Sequence, residues 1–159
     1  MTETVETLLA RMQSEGEKTV GFFSALSAGQ WASPIYGEPA VWTAREILAH
    51  IVSAEGEFLR LFRDVHSGGA GAPLGFFADE FNAAEQERFR GWSPQELLSE
   101  FLRRRAEMMD WVGSLSAADL EKTGRHPVLG DITLGEMIKA ETLHAHLHFR
   151  DIRRFLGVA

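Results

Sequence analysis

The chain has 159 residues, 45% hydrophobic and 25% charged, which fits one globular domain with a full core. Its net charge of −7 at pH 7 argues against a basic nucleic-acid face and against docking on anionic lipid. With no cysteine, disulfides, thiolate metal sites and cysteine nucleophiles are excluded, so any metal must use histidine, carboxylate or water.

The first residues are polar and acidic, and no apolar run approaches the roughly 20 residues that a membrane span needs. The expectation is a cytoplasmic protein, a single domain over 1–159. Val5, Leu8, Leu9, Met12, Val20 and Phe23 recur at helical spacing and predict a first helix over about 3–26. Ser27 and Gln30 mark a short capping turn, and Ser33 to Pro39 reads as loop. Thr43 and Glu46 form a capping box that opens a second helix, with a stripe of Ala44, Ile47, Leu48, Ile51, Phe58, Leu59 and Phe62. It should end near His66, before a flexible Gly-rich loop over 67–75.

Phe76 to Arg90 suggests a shorter helix with Phe77, Phe81, Ala84 and Phe89 on its buried side. Ser93-Pro94-Gln95-Glu96 is the clearest helix start, and the third long helix runs from there to about Leu115. Ser116 to Gly130 is a connection with room for a turn of helix. Thr133 and Glu136 cap a last helix through Leu134, Met137, Ile138, Ala145, Ile152 and Leu156, which Gly157 stops. No convincing strand stands out. The fold class is all-α: a four-helix bundle, with a long crossover between the second and third long helices.

His144 and His148 stand four apart, so they lie one above the other on one helix face. Two imidazoles so placed can ligate one metal ion, and His50 from the second helix could supply a third ligand while leaving a position open. On a wheel of about 100° per residue, His148 falls among Leu134, Glu141, Ala145 and Ile152. His144 lies at the edge of that face, and His146 points away to solvent. Glu141 faces the core one turn before His144. It could orient an imidazole, act as a general base, ligate directly, or form a buried ion pair with an arginine. A lone histidine at the position of His50 is more often a plain boundary residue, and it gains meaning only as one of a set.

Other candidates read as structural. Glu46 is a cap, Asp151 falls off the inward face, and His66 and His126 read as surface residues. Arg103-Arg104-Arg105, flanked by Glu100 and Glu107, reads as a solvated, salt-bridged helix face. The Gly-rich stretch lacks a phosphate-binding pattern.

Trp42-Thr43-Ala44-Arg45-Glu46-Ile47-Leu48-Ala49-His50-Ile51 resembles the W-[ST]-x-x-E-x-h-x-H-h segment of the DinB superfamily. His144 to Ile152 resembles that family's H-x-x-x-H on the last helix, and Leu26 to Trp31 its L-S-x-x-Q-W turn. The resemblance implies a bundle with a crossover and a divalent metal, zinc or nickel, bound by His50, His144 and His148. The superfamily is similar in fold to mycothiol-dependent maleylpyruvate isomerases and bacillithiol transferases. Phe81-Asn82-Ala83-Ala84 resembles the Asn-containing helix of some mycothiol-type relatives. Those isomerases commonly carry Glu where this chain has His144, so the triad looks more like the transferase type. Phe149-Arg150-Asp151 replaces the usual R-G-Q, which leaves the substrate class open.

The resemblance implies a metal-dependent enzyme that delivers a low-molecular-weight thiol, such as mycothiol or bacillithiol, to an electrophilic small molecule. A metal-hydroxide hydrolase with Glu141 as base is its closest variant. A non-catalytic metal- or ligand-binding stress-response bundle is the alternative, and the acidic charge speaks against a nucleic-acid factor. Relatives are often dimers, and exposed Trp92 and Trp111 would permit a homodimer.

Overall fold

The computed structural model describes residues 3–158. Helix α1 spans Val5–Ser24, and the short α2 spans Ala28–Ala32. A hairpin of β1 (Pro34–Tyr36) and β2 (Trp42–Thr43) leads into α3 (Ala44–His66). Helix α4 covers Ala78–Arg88 and α5 covers Pro94–Gly113. The short α6 (Ala117–Leu120) precedes a second hairpin, β3 (Thr123–His126) and β4 (Gly130–Thr133). Helices α7 (Leu134–Thr142) and α8 (His144–Leu156) close the chain.

Capping boxes form at Ser27/Gln30, Thr43/Glu46, Ser93/Glu96 and Thr133/Glu136, each side chain satisfying an orphan backbone N–H of the first turn. Both α1 and α3 pack on α5 and on α7. Near the start of α3, Arg45 Nε donates to Trp92 O at 2.9 Å, just before α5 begins. Further along, Arg104 Nη1 reaches Val52 O at 3.0 Å, and Arg63 meets Glu107. Helices α3 and α5 are therefore parallel neighbours. Their connection, which carries α4, must run back along the bundle, and this is the expected crossover.

The core has two apolar halves. Phe23, Ile47, Ile51, Phe101, Phe149 and Ile152 fill one end. Leu8, Met12, Phe62, Met108, Met137 and Ile138 fill the other. Buried Glu15, Ser53, Glu55, Arg104, Arg105 and Glu141 add polar groups to this interior.

Several sequence expectations change. Two antiparallel hairpins occur where no strand was expected, because strands of two to four residues leave no readable alternation. The last helix is divided at Leu143. Thr142 Oγ1 donates to Ile138 O at 2.7 Å, a back-bond that bends helices, and the next turn tightens with His146 N donating to Leu143 O. Phe77 and Ala84 are exposed, and of the expected buried side of α4 only Phe89 is fully buried. Trp111 is half-buried, stacked on Phe62, whereas Trp92 lies at the surface.

Arg104 and Arg105 are buried rather than solvated; only Arg103 stands outside, paired with Glu100 and Glu107. Arg105 falls on the same stripe as Phe101, Met108 and Val112, which the run of three arginines disguises. Gly56 makes room for its neighbour, since a Cβ there would lie 2.5 Å from Arg104 Nη1. The Gly-rich loop is tied to β3: Arg125 N donates to Ala70 O, and Ala72 N to Arg125 O. Gly71 needs its left-handed φ of 87° there, and a Cβ would meet Arg125 backbone atoms at 2.5 Å.

Candidate metal centre and adjoining cavity

His50 projects from the second turn of α3, fixed in register by the Thr43/Glu46 cap. His144 opens α8 just past the break, and His148 follows one turn on. The helices run antiparallel at this point, and the three imidazoles form T-shaped pairs with ring centroids 4.9–5.0 Å apart. Nε2 of His144 lies 3.2 Å from Nε2 of His50 and 3.2 Å from Nε2 of His148. The three side chains could hold a metal ion.

The spacing supports that fit. A cation about 2.0–2.1 Å from each nitrogen in tetrahedral geometry sets its ligand nitrogens about 3.3 Å apart. A His144 Nε2–H could serve both contacts only as a weak three-centre bond, whereas a shared cation meets all three ring lone pairs. Burial, with the neighbouring imidazoles adding to it, pushes the His50 pKa down to about 4 and the His144 pKa down to about 3. At His50 the nearby Asn82 amide opposes the shift. Burial also lowers His148, against the pull of Asp151. All three rings are therefore neutral at pH 7, the form that ligates.

The ligand face of His148 is set from behind. Tyr36 Oη donates to Asp151 Oδ2 at 2.7 Å and lies 3.0 Å from His148 Nδ1. With its own proton given to Asp151, the phenol oxygen accepts from Nδ1–H, which leaves the Nε2 lone pair facing the other two rings. Burial and the Asp151 carboxylate hold the Tyr36 hydroxyl protonated, well above its usual range. The β1–β2 hairpin delivers this group, pairing Tyr36 with Trp42, whose indole packs on His50. Sequence reasoning missed Tyr36 and set Asp151 aside. The pairing is remote in sequence, and the only available signals were that Tyr36 is the chain's single tyrosine and that Asp151 stands one turn after His148.

Glu141 lies beside the triad on the wall of the cavity, 3% exposed. Its Oε1 is 3.9 Å from Arg105 Nη2, and its Oε2 has no protein partner. Burial, followed by the Glu55 charge, raises its pKa well above the carboxylate range against the pull of Arg105. Arg105 itself donates from Nε to Glu55 Oε2 at 2.9 Å, from Nη2 to Glu55 Oε1, and from Nη1 to Met12 O at 3.1 Å. Burial works against the guanidinium charge, but the carboxylates of Glu55, Glu141 and Glu15 outweigh it.

His126 is not a surface residue. It is 7% exposed, stacks on Phe58 at 5.5 Å, and accepts at Nδ1 from Val128 N and Leu129 N. Those bonds shape the β3–β4 turn into a wall of a cavity of about 390 Å3 that opens onto His50 and His144. His146 faces away from the triad, half-exposed, and pairs with Glu15 of α1. His66 remains at the end of α3, near Asp119. Among the described residues no helix is long and apolar enough to cross a membrane.

Fold and site together define a helical-bundle protein with a candidate three-histidine metal centre. The sequence model of the DinB superfamily matches residues 11–152, and the chain belongs to that superfamily. No protein of curated function matches it significantly in sequence. Among solved structures it is similar to YfiT from Bacillus subtilis, described as a probable metal-dependent hydrolase with an unusual four-helix bundle topology. That match has a TM-score of 0.78 and 15% identity, over 100% of this chain and 91% of the other. It is also similar to a mycothiol-dependent maleylpyruvate isomerase, with a TM-score of 0.76 and 12% identity over 94% of this chain. This chain spans 61% of the isomerase's length. A third similar structure is the colibactin self-resistance protein ClbS in complex with a double-stranded DNA, with a TM-score of 0.67 and 15% identity, over 96% and 94% of the two chains. At these identities the likeness is one of fold.

Proposed function

We propose that the chain is a divalent-metal-dependent enzyme, with zinc or nickel held by His50, His144 and His148. It joins a low-molecular-weight thiol, such as mycothiol or bacillithiol, or a water, to an electrophilic small molecule. The convergence of three neutral imidazoles, two of which (His50 and His144) line a cavity, carries this reading. A divalent ion held there lowers the pKa of a water or thiol and polarises an electrophile.

The chain's own residues have distinct tasks. Tyr36 and Asp151 fix the His148 tautomer and ring orientation. Phe58, packed near His144 in the cavity lining, keeps water from that side of the reacting atoms, and Leu147 stands at the open rim. Glu141, whose pKa is raised, suits a group that gives a proton or hydrogen bond to the reacting molecule better than one that takes a proton. The thiol reading draws on the mycothiol-dependent isomerase, and the water reading on YfiT, which matches over nearly its whole length. ClbS was solved with DNA, but the net charge of −7 disfavours a phosphate backbone, and the reading takes a small molecule as partner.

Metal analysis of the purified protein should find about one divalent ion per chain, and the His148→Ala protein close to none. A transfer assay with mycothiol, bacillithiol and glutathione against a chlorinated aromatic electrophile should consume thiol only with metal present. Metal binding without thiol consumption or ester hydrolysis would instead favour a non-catalytic binding bundle. A folded protein that takes up no zinc or nickel would sink the enzyme reading.

A further inference from the structure

The cavity beside the triad has a chemical character of its own. It is walled by Phe58, Phe76, Phe81 and Leu147 and rimmed by Val128 and Leu129. A cavity of about 150 Å3 holds one benzene, so this one, at about 390 Å3, has room for two rings. Val128 is 83% exposed and Leu147 57%, an apolar rim left open to solvent.

Among the described residues, the cavity lining holds no uncompensated cation. Its one arginine, Arg60, is bound through Nε to both carboxylate oxygens of Glu57, at 3.0 and 3.2 Å. The lone unpartnered polar atom of Glu141, Oε2, is buried in the wall. With no metal at the triad, an anion entering here would lose its hydration and gain no counter-charge from the lining side chains. An apolar body would cover the rim and lining, and one polar group could meet Glu141 Oε2.

We infer that this cavity selects an uncharged, mainly apolar small molecule of about two-ring size carrying one polar group. This deepens the reading of the triad as the reactive centre and depends on it only for which end of the molecule reacts.

The test uses a matched pair, methyl 2-naphthoate and 2-naphthoate, titrated by fluorescence into the full chain at pH 7, as purified and after chelation. The ester should bind at least about tenfold more tightly than the carboxylate in the chelated protein. Leu147→Glu and Val128→Glu, both at exposed positions, should each weaken the ester about tenfold while the thermal melt stays in place. Equal or tighter binding of the carboxylate, or ester binding that ignores both rim changes, overturns the inference. So does a failure of the ester to bind, including the case where sedimentation shows a second copy of the chain on this rim, released by Leu147→Glu. Because the chelated arm needs no metal, loss of the metal reading and loss of this one give different results.

Discussion

Two buried polar clusters share helix α3, through Glu55 and His50, and they are completed differently. In the Arg105 cluster, the guanidinium binds Glu55 twice and Met12 O once, with Glu141 nearby, so its charges are largely answered within the protein. In the histidine cluster, three neutral rings aim their Nε2 atoms at one another, and Nδ1 of His50 and of His144 has no partner. Buried polar groups ordinarily find partners, and a set that faces inward onto itself is unfinished without a ligand. The first cluster reads as architecture and the second as a site.

That contrast can be broken by substitution, and the largest effect falls on the architectural side. Arg105→Met leaves Glu55 and Glu141 buried without their cation, and should cost about 3–5 kcal/mol in urea unfolding. Replacing all three with Arg105→Met, Glu55→Leu and Glu141→Leu should recover most of that loss, since a well-packed apolar set substitutes for a buried ion cluster. A cost below about 1 kcal/mol for Arg105→Met alone would mean that the layer is not a structural unit. His144→Leu should behave differently. In the metal-free protein it removes a half-satisfied imidazole and should move stability by less than about 1.5 kcal/mol. It should also abolish the rise in Tm expected when zinc or nickel is added to the parent protein.

The difference between the clusters was partly readable in the sequence. The capping boxes at Thr43/Glu46 and Thr133/Glu136 set the helix starts, and the i, i+4 pair His144 and His148 points inward from a wheel alone. The sequence offers His50 as a possible third ligand, as does the family resemblance, and the packing of α3 against α8 is what brings its ring to the other two. Arg105 was hidden because three adjacent arginines look like a solvated face, although spacing from Phe101 and Met108 put one of them on the core stripe. His126 and Tyr36 were unreadable for another reason: each owes its place to a short hairpin whose pairing leaves no period in the sequence.

Tyr36 gives a sharper probe of the site side. Tyr36→Phe keeps the ring against Trp42 and removes only the hydroxyl between His148 and Asp151. Metal affinity, measured by competition with a chelator, should fall about 10–100-fold, while folding stability changes by no more than about 1–2 kcal/mol. Unchanged affinity would show that His148 does not need its tautomer fixed.

The finest probe is a pair of opposed pH slopes in the metal-free protein. His50 and His144 have folded pKa values of about 4 and about 3, below their ordinary 6.5. The unfolded chain therefore binds protons first on acidification. Stability from these two rings is full above pH 6.5 and is lost as the pH falls through 4 toward 3. Glu141 has the opposite sign: its folded pKa lies well above 4.5, so the unfolded chain ionises first as pH rises. Its contribution is full below 4.5 and is lost on the way up. Between pH 4.5 and 6.5 the two clusters pull stability in opposite directions, and two rings should outweigh one carboxyl. Glu141→Gln removes the counter-slope, so its stability should fall more steeply on acidification across that window. His144→Leu should flatten the same limb. If the two substitutions change the profile in the same direction, the clusters are titrating as one unit, and the division between architecture and site does not hold.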